Sequence, residues 1–307
     1  MRHLLCVTDL SSAEIERIFA ITADLKSKYA QGVREPLLPG RVLGLLFEKQ
    51  SLRTRVSFEA GMTQLGGGSL FLGSDVGFGA RESMADFARV LSQYVDGVVM
   101  RCKLHQTVAE VAEHSTCPVI NGLTDFAHPC QALADLYTLR ELVGKLNGLT
   151  LAYVGDANNV ARSLVEGCGR LGMKIVVATP PAYQFSPEDL ARFKREIPQL
   201  DLTTTTDPIA AVKGVVAVYT DVWASMGQEA ESAKRRKDFA AYQVNAALMK
   251  HAPSEAYFMH CLPAHRGEEV TDEVIDGPNS VVVQQASNRM HVQKGVLAWL
   301  LTAKASG

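Results

Sequence analysis

FEKQSLRTRVSFE, Phe47 to Glu59, is the stretch on which the reading of this chain turns. Before it, Val42 to Phe47 is a short apolar run bounded by Gly40-Arg41 and Glu48, which predicts a buried strand. After it, Val56, Phe58, Ala60, Met62 and Leu65 recur at helical spacing and Gly66 stops the helix. Ser51 between them is a good N-cap. A strand, a tight turn and a helix N-terminus leave several backbone N–H groups pointing at one spot, which suits an anion. Arg53 and Arg55 fall in the first turn, where the helix dipole disfavours a cation by about 0.3–1 kcal/mol each. That local penalty makes sense if phosphate shares the site and takes Arg53 as a bidentate partner. Two solvated arginines on an exposed helix start are the plain alternative.

At 307 residues the chain is too long for one typical core, so two domains are expected. Its 31 basic and 33 acidic residues argue against a general nucleic-acid binder. Six cysteines without a CxxC pair suggest neither a disulfide framework nor a zinc ribbon, and free thiols suit a reducing compartment. The apolar run Leu4 to Val7 is too short for a signal peptide, and no run reaches membrane-span length. The expectation is a soluble cytoplasmic protein that binds neither nucleic acid nor membrane.

Ser11 and Glu14 form a capping box that opens a helix with an apolar face of Ile15, Ile18, Phe19 and Leu25. Strands are predicted at 42–47, 69–72, 97–101 and 118–121, with helices near 82–94 and 106–114. A helix from Pro129 to about Val143 comes next, proline being favoured at the first helical position. A second series then begins, with strands at 149–154, 174–178, 202–205, 215–220, 256–261 and 280–283 and a closing helix from about Asn288 to Thr302. Two successive β-α series predict an α/β protein of two doubly wound parallel-sheet domains joined by interdomain helices. The predicted division is 1–134 with the C-terminal helix 288–307 packing back on it, and 135–287.

Ligands of such sheets sit at the carboxyl ends of strands. The residues at those ends are Ser51-Leu52-Arg53-Thr54, Arg101, His128-Pro129-Cys130-Gln131, Asp156 to Asn159, Asp221 to Gly227, and His260-Cys261-Leu262-Pro263. Gly155-Asp156-Ala157-Asn158-Asn159-Val160 invites a dinucleotide reading and fails it, since Ala157 and Val160 replace the second and third glycines. The next strand also runs into Thr179-Pro180 without an acidic residue. Asn158 can simply cap a helix. His128 can do the same, or, with Gln131, can polarise a carbonyl. His260, Cys261 and His265 lack a convincing fourth ligand for zinc. Cys261 is either a buried structural cysteine or, at a strand end beside proline, a site residue. Asp221 before Ser225 and Gly227 suits an amine bound on a mobile loop, or a cap on a surface loop. Arg289, at the predicted start of the last helix, repeats the anomaly of Arg53.

SLRTR, HPCQ, GDANNV, DVWASMGQE and HCLPAHRGEE, in this order, resemble the aspartate/ornithine carbamoyltransferase family over nearly the whole chain. HPxQ and SxRTR are common to the family, and DxxxSMG with HCLPxHRG are similar to its ornithine branch. The resemblance implies that 1–134 binds carbamoyl phosphate and 135–287 binds L-ornithine. Ser51, Leu52, Arg53 and Thr54 would hold the phosphate. Arg101, His128, Gln131, Cys261 and Leu262 would meet the carbamoyl group, and Arg289 would add an anion contact. Asn159, Asp221, Ser225 and Met226 match the ornithine-binding positions, while Arg55 matches a structural one. The implied chemistry uses no metal and no cofactor, with Arg101, His128, Gln131, Asp221 and Cys261 as its catalytic set. The implied assembly is a homotrimer with sites at subunit boundaries.

Two positions depart from the family pattern. Leu52 stands where threonine is frequent, and SLRTR also occurs in carbamoyltransferases acting on N-acylornithine. Gly77 stands where a glutamine often reaches the neighbouring subunit's phosphate, with Arg81 close in sequence. The expected reaction is attack by the δ-amine of ornithine on carbamoyl phosphate, giving citrulline and phosphate in arginine biosynthesis. N-acylornithine, putrescine and aspartate are the alternative acceptors. A non-catalytic anion-binding paralogue is the alternative of another class.

Overall fold

The computed structural model describes residues 2–77, 81–224 and 229–302. Contacts divide the chain into two units, Met1–Tyr137 with Ser287–Gly307, and Thr138–Ala286. Both cuts fall inside helices.

In the first unit, α1 (Ser12–Ala30) carries the capping box, with Ser11 Oγ accepting from Glu14 N and the Glu14 carboxylate accepting from Ser11 N at 2.9 Å. Then come β1 (Val42–Phe47), α2 (Leu52–Gln64), β2 (Gly68–Leu72), α3 (Met84–Tyr94), β3 (Gly97–Arg101), α4 (His105–His114), β4 (Val119–Leu123) and α5 (Pro129–Val143), whose last turns lie beyond the cut. The sheet order is β2-β1-β3-β4, all parallel. Every residue of β3 is buried, because helices cover both faces of a parallel sheet. Leu46, Val98 and Met100 of the strands pack with Ala88, Val108 and Val111 of α3 and α4 in one apolar cluster.

In the second unit, β5 (Thr150–Val154), α6 (Asn159–Arg170), β6 (Lys174–Ala178), α7 (Pro187–Glu196), β7 (Asp201–Thr205), α8 (Pro208–Ala211), β8 (Ala217–Thr220), α9 (Ser232–Phe239), α10 (Ala246–Met249), β9 (Tyr257–His260) and α11 (Asp272–Ile275) precede α12 (Val282–Thr302). The sheet order is β7-β6-β5-β8-β9, again parallel throughout. Each sheet starts at an inner strand and winds outward in both directions, so each has a switch point, at β1/β3 and at β5/β8. Ligand crevices of doubly wound sheets open there, at the strand carboxyl ends. Among the described residues no helix is long and apolar enough to cross a membrane.

The strand expected at 280–283 does not form. Ser280 makes only an isolated parallel bridge with Phe258, and the helix begins at Val282. Val281 N still donates to the Phe258 carbonyl, but Gln285 N then donates to the Val281 carbonyl and closes a helical turn. Three successive valines favour a strand locally. A sixth strand has no long edge to join, while the helix buries Val281 and Val282 and leaves Val283 outside. Arg289 is therefore the eighth residue of α12 rather than a residue of its first turn.

In the first unit α12 crosses α1 at close range. A Cβ on Gly295 would sit 2.9 Å from the Ile18 carbonyl and collide with the Thr22 hydroxyl, which itself donates to that carbonyl at 2.7 Å. Gly295→Val is expected to lower unfolding stability by about 3 kcal/mol, read as a drop in urea midpoint. An unchanged midpoint would mean that the two helices can part without loss.

Candidate active site

The first cluster grows from the strand-turn-helix unit around Ser51. Ser51 is extended, caps α2 through Thr54 N, and donates its own hydroxyl to Thr54 Oγ1 at 3.0 Å. Arg101 Nη1 and Arg289 Nη2 donate to the same Thr54 oxygen at 3.2 and 3.0 Å. Thr54 is fully buried, so two guanidinium groups converge on one desolvated hydroxyl. Arg101 is aimed there by an irregularity in the sheet: the β3–β4 pairing passes from Met100↔Asn121 to Arg101↔Leu123, skipping Gly122. Such a bulge redirects the strand's last side chain. Glycine suits the position, because a Cβ there would lie 3.4 Å from Thr54 Cγ2 and 3.2 Å from Val99 Cγ1.

The two arginines of the first turn of α2 separate in role. Arg55 Nε pairs with Glu59 at 3.0 Å, and its guanidinium lies 3.8 Å over the Phe71 ring. The half-buried Arg53 side chain has no hydrogen-bond or ion-pair partner among the described residues. Leu52 is 75% exposed.

His128 precedes Pro129 at the head of α5 and is buried. Burial, then the charges of Arg289 and Arg101, hold its imidazole well below the ordinary 6.5, so the ring is neutral at physiological pH. Gln131 donates Nε2 to Asp135 Oδ1 at 2.7 Å, and its buried Oε1 accepts no hydrogen bond among the described residues. Ser51, Arg101 and Arg289 thus converge on the Thr54 hydroxyl, the neutral His128 imidazole lies close enough to feel both guanidinium charges, and Gln131 stands one turn along α5.

The second cluster lies in the other unit. Gly155, at φ +150°, lets the chain leave β5 beside Thr220. Asn158 then does two jobs. Its Oδ1 caps α6 by accepting from Val160 N and Ala161 N, and its Nδ2 donates to Asp221 Oδ2 at 2.8 Å. The Cys261 thiol donates to the other oxygen, Asp221 Oδ1, at 3.0 Å. Asp221 is thereby a buried carboxylate oriented from both sides. Asn159, the expected ligand, is half-buried in the first turn of α6, next to the Asn158 that bonds Asp221. Ser225 and Met226 lie outside the described residues.

Sequence reading missed Arg235. It bonds Asp156 Oδ2 at 2.7 Å and the Trp223 carbonyl at 2.8 Å, tying the turn after β5 to the segment after β8. Burial raises the Asp156 pKa and the Arg235 bond opposes it. A basic helix just beyond a functional loop carries no signal of its own.

Asp221, His260 and Cys261 each bring a donor atom within 4.8 Å of the others. His260 has no lone pair to offer, since Nδ1 accepts from Leu262 N at 2.8 Å and Nε2 faces Glu269 at 3.1 Å. A metal there would have to break these bonds to gain an imidazole ligand.

One unit thus presents a cationic cradle at a helix N-terminus and the other a positioned carboxylate, each at a sheet switch point. Residues 2–141 match the carbamoyl-P binding domain of the aspartate/ornithine carbamoyltransferases, and residues 147–300 match the Asp/Orn binding domain. The chain belongs to this family of carbamoyl-transferring enzymes. It is similar to the ornithine carbamoyltransferase of Bacillus subtilis, at 51% identity over 98% of this chain and 94% of that protein. Its structure superposes on ornithine carbamoyltransferase from Pyrococcus furiosus with a TM-score of 0.95, 48% identity and coverage of 99% and 98% of the two chains. For the anabolic ornithine carbamoyltransferase of Campylobacter jejuni the values are 0.91, 35%, 98% and 99%.

Proposed function

We propose that the protein transfers the carbamoyl group of carbamoyl phosphate to the δ-amine of L-ornithine, giving L-citrulline and phosphate, as a cytoplasmic step of arginine biosynthesis. The oriented Asp221 carboxylate carries the reading on the acceptor side, because it suits the α-ammonium of a free amino acid. The names of relatives about half identical over the whole chain support the same acceptor.

In this reading Ser51, Leu52 (by its backbone), Arg53 and Thr54 hold phosphate, with Arg101 and Arg289 as further anion contacts. Arg101, neutral His128 and Thr54 stabilise the oxygen that gains charge, where one well-placed donor is worth roughly 3–4 kcal/mol. Gln131 Oε1 and the Leu262 carbonyl accept from the carbamoyl NH₂ and orient it. The δ-nitrogen forms its bond to the carbonyl carbon as the π electrons move to oxygen. The tetrahedral species then collapses and breaks the bond to the phosphate oxygen, and the departing phosphate can take the proton the nitrogen sheds. Asn159, Asp221, Ser225 and Met226 bind ornithine. Cys261, as a thiol donating to Asp221, leaves one negative charge beside the amines rather than two.

A homotrimer belongs to the same reading. The edge strand β2 exposes Leu70, and α2 and α3 expose Leu52, Val56, Val90 and Tyr94, apolar surface that a neighbouring copy would cover. Arg81 stands in for the missing glutamine at Gly77. Sedimentation should give about three times the chain mass.

The deciding experiment measures ureido product from carbamoyl phosphate with ornithine, N-acetylornithine, putrescine and aspartate in parallel. Turnover with ornithine at least 100-fold above the rest is expected. Preference for another acceptor would overturn the roles of Asn159 and Asp221, and no turnover with any would leave only an anion-binding paralogue.

A further inference from the structure

We infer that Glu269 is a positioning residue that acts through His260 to set the backbone carrying the Leu262 carbonyl and the Cys261 thiol. The inference rests on the proposed role of those two groups. Its starting point is Leu262, a γ-branched residue at φ +55°. An L-residue in the left-handed region is disfavoured and persists only where its surroundings impose it.

The imposing bond comes from a side chain. Leu262 N donates to His260 Nδ1 at 2.8 Å, so Nδ1 carries no proton and the ring is neutral with its proton on Nε2. That Nε2–H faces Glu269 Oε1 at 3.1 Å. The same carboxylate oxygen accepts from His265 N at 2.6 Å. One oxygen therefore selects the tautomer that grips Leu262 and also pins the far end of the loop, three residues on. His260 is held from behind as well. Its own N–H donates to Gln285 Oε1 at 3.0 Å, and Gln285 Nε2 donates to Tyr219 OH at 3.2 Å. The side chains of His260 and Glu269 are both fully buried, so solvent does not share these bonds.

If Glu269 is removed, the buried Nε2–H and His265 N both lose their acceptor, and the ring loses the bond that fixes its orientation. The ring is then free to turn, which weakens its grip on Leu262 N and on the backbone that this bond holds. Glu269→Gln keeps an oxygen that can accept from both Nε2–H and His265 N. Glu269→Ala does not.

The test has two arms. In the first, kcat and carbamoyl phosphate binding are measured for the wild type, Glu269→Gln, Glu269→Ala and His260→Asn. Glu269→Gln should stay within about fivefold of wild type. Glu269→Ala should lose about 100-fold in kcat while binding carbamoyl phosphate within about threefold, because phosphate affinity lies with the other unit's arginines. His260→Asn, whose Oδ1 can accept from Leu262 N, should keep more activity than Glu269→Ala. Equal loss in Glu269→Gln and Glu269→Ala, or parallel loss of kcat and binding, would sink the inference. The second arm needs no activity and no variant that folds poorly. The ¹⁵N shifts of the wild-type His260 ring must identify an unprotonated Nδ1 and a protonated Nε2, and the opposite assignment overturns the proposal. If wild type carbamoylates no acceptor while the ring shows the expected tautomer, the functional reading fails and the loop clamp stands.

Discussion

Arg53→Ala should raise the carbamoyl phosphate concentration needed for half-maximal rate by about 100-fold or more, while the thermal midpoint stays level or rises slightly. The two halves of this expectation have separate causes. A charged donor removed from a bound anion costs about 2–5 kcal/mol, much of it from leaving the other charge short of a partner. Stability moves the other way, because the Arg53 side chain makes no bond among the described residues and stands in the first turn of α2. Its removal relieves an unfavourable interaction with the helix dipole of about 0.3–1 kcal/mol. Arg55→Ala is the control. It breaks the Glu59 pair and uncovers Phe71, so it should cost a little stability and leave anion affinity nearly unchanged. Near-normal affinity in Arg53→Ala would end the case for an anion site at this helix.

The rate constant kcat/KM for ornithine should climb about tenfold per pH unit from 6.5 to 8.5. An alkyl amine of pKa near 10.4 is overwhelmingly charged in this range, and only the neutral fraction attacks. The protein adds no opposing limb from His128, whose pKa lies well below 6.5 through burial and the charges of Arg289 and Arg101. A flat profile would exclude attack by a free neutral amine. The same histidine makes a stability prediction of fixed sign. Its folded pKa lies below its unfolded one, so the unfolded chain binds the extra proton and stability falls as pH drops through about 6.5. The largest slope one such group can give is about 1.4 kcal/mol per pH unit. His128→Gln should flatten the fall in urea midpoint between pH 6.5 and 5, and an unchanged slope would assign the acid sensitivity to other groups.

Local chemistry by itself determined a good part of this protein. A six-residue apolar run, a serine cap and a stop glycine define β1, the turn and α2, because each signal acts within one turn of backbone. Pro129 marks the first residue of α5 for the same reason. Alternating strands and helices imply two parallel sheets, and the chain order of SLRTR, HPCQ, GDANNV and HCLP points to the strand ends where ligands sit. Tertiary structure decided the rest. It turned the valines at 281–283 into a helix start, since Gln285 is drawn toward His260 and no further strand is needed. It also gave the capping Asn158 a second role on Asp221, because a capping side chain has a second end whose direction only the neighbouring strand fixes. Arg235 and Glu269 were silent in the sequence for one physical reason. Their partners lie 79 and 9 residues away, and a buried charge is defined by the groups that surround it in space rather than by those beside it in the chain.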